Sequence, residues 1–222
     1  MFRYQRNLGT LTEEEQRLLR SKKIVIAGCG GLGGYCAHFL LRSGIERMVL
    51  LDDDRFSETD MNRQLFANMK TMGISKAEAT KEAILRVNPG AKVEAVCGFL
   101  TNANAVSLFT GCDLVIDALD NLPSRLLLQD ACQATGLPFV HGDVSRWSGR
   151  VSTIFPGDPG IRTLFSQGDP EMNLSFLAVS AAAVASFQAV EAIRVLLGKP
   201  SLRRQVLLID LETNSLHVQP AE

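Results

Sequence analysis

Three glycines at G-x-G-x-x-G spacing, Gly28, Gly30 and Gly33, follow a β-branched run, Ile24-Val25-Ile26, and precede the apolar run Phe39-Leu40-Leu41. The first glycine permits a tight turn, the second lets backbone approach a phosphate, and the third lets a helix pack on the strand. An anion then meets exposed helix N–H groups. About 20 residues on, a second apolar run, Met48-Val49-Leu50-Leu51, ends in Asp52-Asp53-Asp54, where an acidic side chain can hold ribose hydroxyls. Arg63 and Gln64 come next, and Lys76 opens a further helix, all placed to converge on the same crevice from its side. A triphosphate carries roughly four negative charges, and its transfer is mostly positioning and neutralisation. Cations beside a glycine turn therefore suit ATP better than NAD. Such chemistry also wants a magnesium ligand, and Asp120, followed by Asn121 at the end of the Leu114-Val115-Ile116 run, would face the crevice across a sheet.

These residues need strands alternating with helices. Thr12 to Glu15 fits a capping box before a short helix to about Leu19, and Ser75 to Glu78 fits a second box before a helix ending near Asn88-Pro89-Gly90. The polar stretch Arg55 to Met72 between them is longer than an ordinary βα connection and reads as a binding loop. Strand signals at Val93 to Leu100, Leu114 to Ala118 and Phe139-Val140 alternate with helix signals at Asn102 to Phe109 and Ser124 to Thr135. The pattern predicts a doubly wound, mostly parallel α/β sheet of Rossmann type with a short N-terminal helix. After a strand at Arg150 to Phe155, Pro156 to Pro170 reads as a loop and Ser175 to Leu197 as a helix. Gln205 to Asp210 and Ser215 to Val218 form a closing antiparallel pair. The whole of 1–222 is taken as one domain, with 1–22 as an N-terminal arm and helix.

The 23 basic and 24 acidic residues give a formal charge of −1, so no global field draws the chain to nucleic acid or to an anionic membrane. The five cysteines, Cys29, Cys36, Cys97, Cys112 and Cys132, form no C-x-x-C pair and are expected as reduced thiols of a cytoplasmic protein. The opening residues MFRYQRNLGTLTEEE lack an apolar core, so no secretory leader is expected. The uncharged stretch 173–190 is alanine- and serine-rich and is expected to be a buried helix rather than a membrane span.

Arg3-Tyr4-x-Arg6-Asn7, the run GCGGLG with its extra Gly31, LLDDD, Asn62-Arg63-Gln64, G-x-x-K at Gly73 to Lys76, Asn88-Pro89, DALDN at Asp117 to Asn121 with Arg125, and QAVEAI at Gln188 to Ile193 together resemble the ThiF/MoeB/HesA family. The match runs in order from about Arg3 to Leu211. The resemblance implies an ATP- and magnesium-dependent adenylyltransferase, usually a homodimer. It would activate the C-terminal carboxylate of a ubiquitin-like sulfur carrier that ends in Gly-Gly, leaving an acyl-adenylate for a sulfur donor. It further implies nucleotide contacts from Gly28, Gly30, Gly31, Gly33, Asp52, Asn62 and Asn121, ribose contact from Asp54, and phosphate contact from Arg63, Gln64 and Lys76. Asp120 would hold Mg2+, and Arg6 would reach the neighbouring subunit's triphosphate. Residues 156–171 would be the crossover loop.

The departures from the family carry weight too. No cysteine follows Cys132, so the zinc-binding pairs of many relatives and the crossover-loop cysteine are missing. Zinc is not expected, and the chemistry is expected to stop at the adenylate. Asp60 stands where the family usually has asparagine, and its charge is expected to oppose phosphate binding. Other readings are adenylation of a small-molecule carboxylate, a non-catalytic nucleotide-binding partner subunit, and an NAD-dependent oxidoreductase with His141, at a strand's carboxyl end, as acid or base. Arg125 is expected to pair with Asp120 or Asp130, and Trp147 to be packed.

Overall fold

A computed structural model describes residues 2–164 and 175–221. The strands are β1 (Lys23–Ala27), β2 (Arg47–Asp52), β3 (Lys92–Cys97), β4 (Leu114–Asp117), β5 (Phe139–Ser145), β6 (Ser148–Ile154), β7 (Gln205–Asp210) and β8 (Ser215–Pro220). The helices are α1 (Glu13–Ser21), α2 (Gly33–Ser43), α3 (Lys76–Val87), α4 (Ala105–Phe109), α5 (Leu122–Thr135), α6 (Ile161–Leu164) and α7 (Ala178–Leu196). Among the described residues the strands form one sheet in the order β3-β2-β1-β4-β5-β6-β7-β8. Pairing is parallel from β3 through β5 and antiparallel from β5 to β8.

Alternation along β1 explains the two layers. Ile24 and Ile26 pack with α2, α3 and α7 on one face, whereas Val25 and Ala27 pack with α4 and α5 on the other. Both faces are covered, as a parallel sheet requires. The chain leaves β1 toward β2 on one side and later returns to β4 on the other, so the carboxyl ends of β1 and β4 flank a gap between diverging connections.

Several expectations change in detail. The Thr12 capping box is present, with Thr12 Oγ1 accepting from Glu15 N and Glu15 returning the bond, but α1 continues to Ser21. Ser75 flanks α3 as predicted yet makes no side-chain cap. Its hydroxyl lies 3.0 Å from Cys97 Sγ instead. The box that does form nearby is Ser57 with Asp60, around the 3-10 turn Glu58–Asp60. The antiparallel region is larger than a closing pair. β5 runs through His141 and Gly142 to Ser145 and turns into β6 at Arg146-Trp147, so four strands share it. His141 is therefore in mid-strand, not at a strand's carboxyl end. Of the loop read over 156–171, residues 161–164 form α6, and residues 165–171 lie outside the described residues.

By length and hydropathy α7 qualifies as a membrane-crossing helix, but half of that stretch is buried. Its polar residues explain why it belongs on the sheet. Gln188 Nε2 donates to Asp117 O (2.7 Å) and Val140 O (3.0 Å), and Glu191 accepts from Leu202 N (2.6 Å) and Thr153 Oγ1 (3.1 Å). The QAVEAI run thus ties the helix to the end of β4, the start of β5 and Thr153 of β6.

Candidate active site

The glycine turn is closed by backbone contacts that no larger residue would allow. Gly28 has φ +93°, and a Cβ there would sit 2.4 Å from Ala118 O. A Cβ on Gly33 would lie 1.8 Å from Gly28 O, so Gly33 serves the approach of α2 to the turn and does not face the crevice. Leu32, the N-cap of α2, provides no side-chain cap, and of the first helix amides Gly34 N donates to Gly30 O (3.3 Å). Asp52 stitches the turn to β2, taking Cys29 N at 2.6 Å and Asp54 N at 2.8 Å. Burial pushes its carboxyl above the usual range, against those two N–H bonds.

A crevice of about 260 Å³ opens at this turn. Its floor is Gly28, Gly30 and Gly31; one wall is Asp52, Asp53 and Asp54; Arg63, Gln64 and Lys76 flank it, and Asp120 and Asn121 stand across from them. Lys76 is buried, with Nζ 2.6 Å from Asp54 and 3.7 Å from Asp60. The hydrogen bond from Lys76 holds Asp54 below the usual carboxylate range. Arg63 Nη1 donates to Thr59 O (2.7 Å) and Asn62 Oδ1 (3.1 Å), and its guanidinium lies 5.5 Å from the centre of the Phe176 ring. Asn62 is thus a support for Arg63 and does not line the crevice. Asn121 caps α5 by accepting from Ser124 N (2.9 Å), and its amide donates to Asp120 Oδ1 (3.1 Å). That bond orients an exposed carboxylate at the crevice rim.

Phe176, Phe99 and Leu100 also line the crevice, and sequence reasoning missed all three. No motif marks them, because they arrive from the end of β3 and from the segment before α7. A wider groove of about 770 Å³ adjoins, sharing Arg63 and Phe176 with the crevice and lined beyond them by Thr59, Asn62, Arg146, Trp147 and Leu177. Trp147, expected to be packed, is 42% exposed there because it occupies the β5–β6 turn.

Arg6, expected to reach the neighbouring subunit's triphosphate, is exposed on the 3-10 turn Phe2–Asn7 and lies outside its own chain's crevice. Its neighbours in the motif anchor that turn: Tyr4 is buried against Asn88, Arg3 donates to Asn88 Oδ1, and Asn7 bonds Gln16 (3.0 Å). Arg125 is buried and donates to Leu119 O from Nε (3.0 Å) and Nη2 (2.7 Å), with Asp117 at 4.0 Å, not Asp120 or Asp130. Asp60 does not project into the crevice; it is buried among Ser57, Gln64, Arg63 and Lys76.

His141 does not face the glycine turn either, which removes the support for an oxidoreductase that uses it as acid or base. It is 1% exposed, with Nδ1 2.7 Å from Asp117 and Nε2 3.4 Å from Asp143, and Asp143 pairs with Arg150 at 2.7 Å. Burial disfavours the imidazolium, but the bonds to Asp117 and Asp143 outweigh it and hold the pKa above the ordinary value. Burial likewise pushes Asp143 up, but His141 and Arg150 outweigh it and hold the carboxyl well below the usual range. The raised histidine contributes stability that is complete below its unfolded value of about 6.5 and lost as pH rises through the folded one. The depressed aspartate contributes stability that is complete above its unfolded value of about 3.9 and lost as pH falls through the folded one. Asp143→Asn takes away the carboxylate that His141 and Arg150 share, and is expected to cost about 1–3 kcal/mol and to flatten the acid limb in urea unfolding followed against pH.

The sequence profile of the ThiF family matches residues 4–222. A "SAMP-activating enzyme E1" of Haloferax volcanii is 33% identical over 204 residues, covering 88% of this chain and 75% of that protein. A "Sulfur carrier protein adenylyltransferase" of Thermus thermophilus is 33% identical over 224 residues, covering 94% of this chain and 82% of that one. Among solved structures, E. coli MccB with MccA superposes with a TM-score of 0.81 at 19% identity, covering 93% of this chain and 66% of that one, a likeness of fold.

Proposed function

The chain belongs to the ThiF family, and on that premise we propose that it is an ATP-dependent adenylyltransferase acting on the C-terminal carboxylate of a ubiquitin-like sulfur carrier. The observation that carries the reading is the gathering of Arg63, Lys76 and Asp120 around one glycine turn. The carboxylate attacks the α-phosphate of ATP, the bond to the β-phosphate oxygen breaks, pyrophosphate leaves, and an acyl-adenylate remains. Arg63 and Lys76 neutralise the departing phosphates, the amides at the start of α2 receive phosphate oxygens, and the acidic end of β2 receives the ribose.

The crevice fits magnesium. Its lining holds four carboxylates, Asp52, Asp53, Asp54 and Asp120, against two cations, so a bare triphosphate meets net repulsion there. Among the described residues no cluster of three or more metal-ligating side chains exists, but Mg2+ in phosphoryl sites is held by one or two carboxylates, phosphate oxygens and water. Asp120 is the rim carboxylate for that task, and the ion supplies charge neutralisation of the phosphates.

The wider groove gives the carrier's tail a path that enters the crevice past Phe176. A diglycine end suits it, because a Cβ on Gly31 would already meet the Phe176 ring at 2.9 Å and little width remains for side chains. A homodimer accounts for Arg6: exposed and away from its own crevice, it can serve phosphates only in a second copy. The free thiols fit a cytoplasmic setting.

Carboxylate-dependent exchange of labelled pyrophosphate into ATP tests the reading. Exchange is expected with a diglycine-ended carrier and not with the same carrier lacking its last two residues. Exchange with a small acid alone would move the substrate to small-molecule carboxylates, and tight ATP binding without any exchange would identify a non-catalytic partner subunit.

A further inference from the structure

Asp60 stands behind the crevice, in a position that glycine turn and cations alone do not explain. It is 5% exposed. Its Oδ2 accepts from Ser57 N (2.9 Å) and Ser57 Oγ (3.0 Å), and its Oδ1 accepts from Gln64 Nε2 (2.6 Å). Lys76 Nζ lies 3.7 Å away and Arg63 Nη2 3.6 Å. A carboxylate only accepts, so the Gln64 amide must turn its nitrogen toward Asp60. Gln64 Oε1 is left buried without a hydrogen-bond partner, in an amide that lies against Gly30. Gln64 therefore spends one of its two amide hydrogens on Asp60 and keeps a single one for a phosphate.

We propose that Asp60 is a positioning residue and built-in counter-ion. It holds Arg63, Gln64 and Lys76 in place while weakening their grip on a polyphosphate, so that pyrophosphate leaves more readily than from the same site with asparagine there. The inference rests on the reading of this crevice as an ATP site. Asparagine would keep an acceptor for Ser57 and remove the charge beside both cations. Its own amide would let that of Gln64 rotate and offer nitrogen to a phosphate.

The test compares the affinity of wild type, Asp60→Asn and Ser57→Ala for magnesium pyrophosphate and magnesium ATP by calorimetry. Asp60→Asn is expected to bind both about tenfold more tightly, with a steeper loss of affinity as salt is added. Ser57→Ala takes a bond from the same carboxylate but leaves its charge, and is expected to bind as wild type does. Unchanged or weaker binding by folded Asp60→Asn overturns the inference while wild-type ATP binding keeps the ATP reading. Equal tightening by Ser57→Ala assigns the effect to the cap and also overturns it. A wild type that binds neither probe overturns the ATP reading and this inference with it. Should Asp60→Asn fail to fold, Asp60→Thr, whose hydroxyl can still accept from Ser57 N, enters the same assay with the same outcomes.

Discussion

Arg63→Ala is expected to lower carrier-dependent exchange of pyrophosphate into ATP by about 10²- to 10³-fold, the usual loss when one preorganised donor to a developing charge is removed. Arg63 is prepared for that part by its surroundings. Thr59 O and Asn62 Oδ1 hold one nitrogen, Asp60 lies behind another, and the Phe176 ring supports the plane. Little reorganisation is left for the moment of reaction. Arg63→Lys separates charge from shape: an ammonium cannot lie flat on the ring or donate along two parallel directions, so most of the loss is expected to remain. The fall should appear in kcat more than in the KM for the carrier, because the guanidinium acts on phosphates and not on the tail. An Arg63→Ala enzyme within threefold of wild type, measured as folded by its unfolding curve, would remove Arg63 from the chemistry.

Asp120→Asn is expected to cost a comparable 10²- to 10³-fold at ordinary magnesium and to be partly restored as magnesium is raised. The substitution is isosteric, and its oxygen can still accept from the Asn121 amide, so the rim keeps its shape while losing one charge. The crevice then has fewer hard oxygen ligands for the ion that must offset the triphosphate. Exchange rate against magnesium concentration gives the answer. A curve that coincides with wild type would leave Asp120 a turn residue only, and a uniform loss with no magnesium dependence would place its effect in folding.

Much of this arrangement was legible in the chain. The strand, glycine turn and helix from Ile24 to Leu41 are local, and each depends on residues within a few positions. So does the Thr12 capping box, whose two bonds join residues three apart. The converging positions of Arg63, Lys76 and Asp120 followed from a general rule, that parallel strands deliver their carboxyl ends to one crevice. The Ser75 cap failed because a partner from another strand, Cys97, competes for the hydroxyl. His141 was misplaced because the three residues of β5 beyond Gly142 carry no apolar alternation, and pair only because β6 returns alongside.

By itself, then, the order of residues determined the alternating architecture, the phosphate-ready turn and the family, since these rest on short-range periodicity and on spacing along one strand or helix. Only the tertiary structure decided what the charges do. It buried Asp60 behind the crevice as the partner of two cations, withdrew His141 into an ion network, set Arg6 outside its own crevice, and brought in Phe176 from before α7. The reason is that a charge's role depends on what lies within about 4 Å of it, and here those neighbours come from segments far apart along the chain.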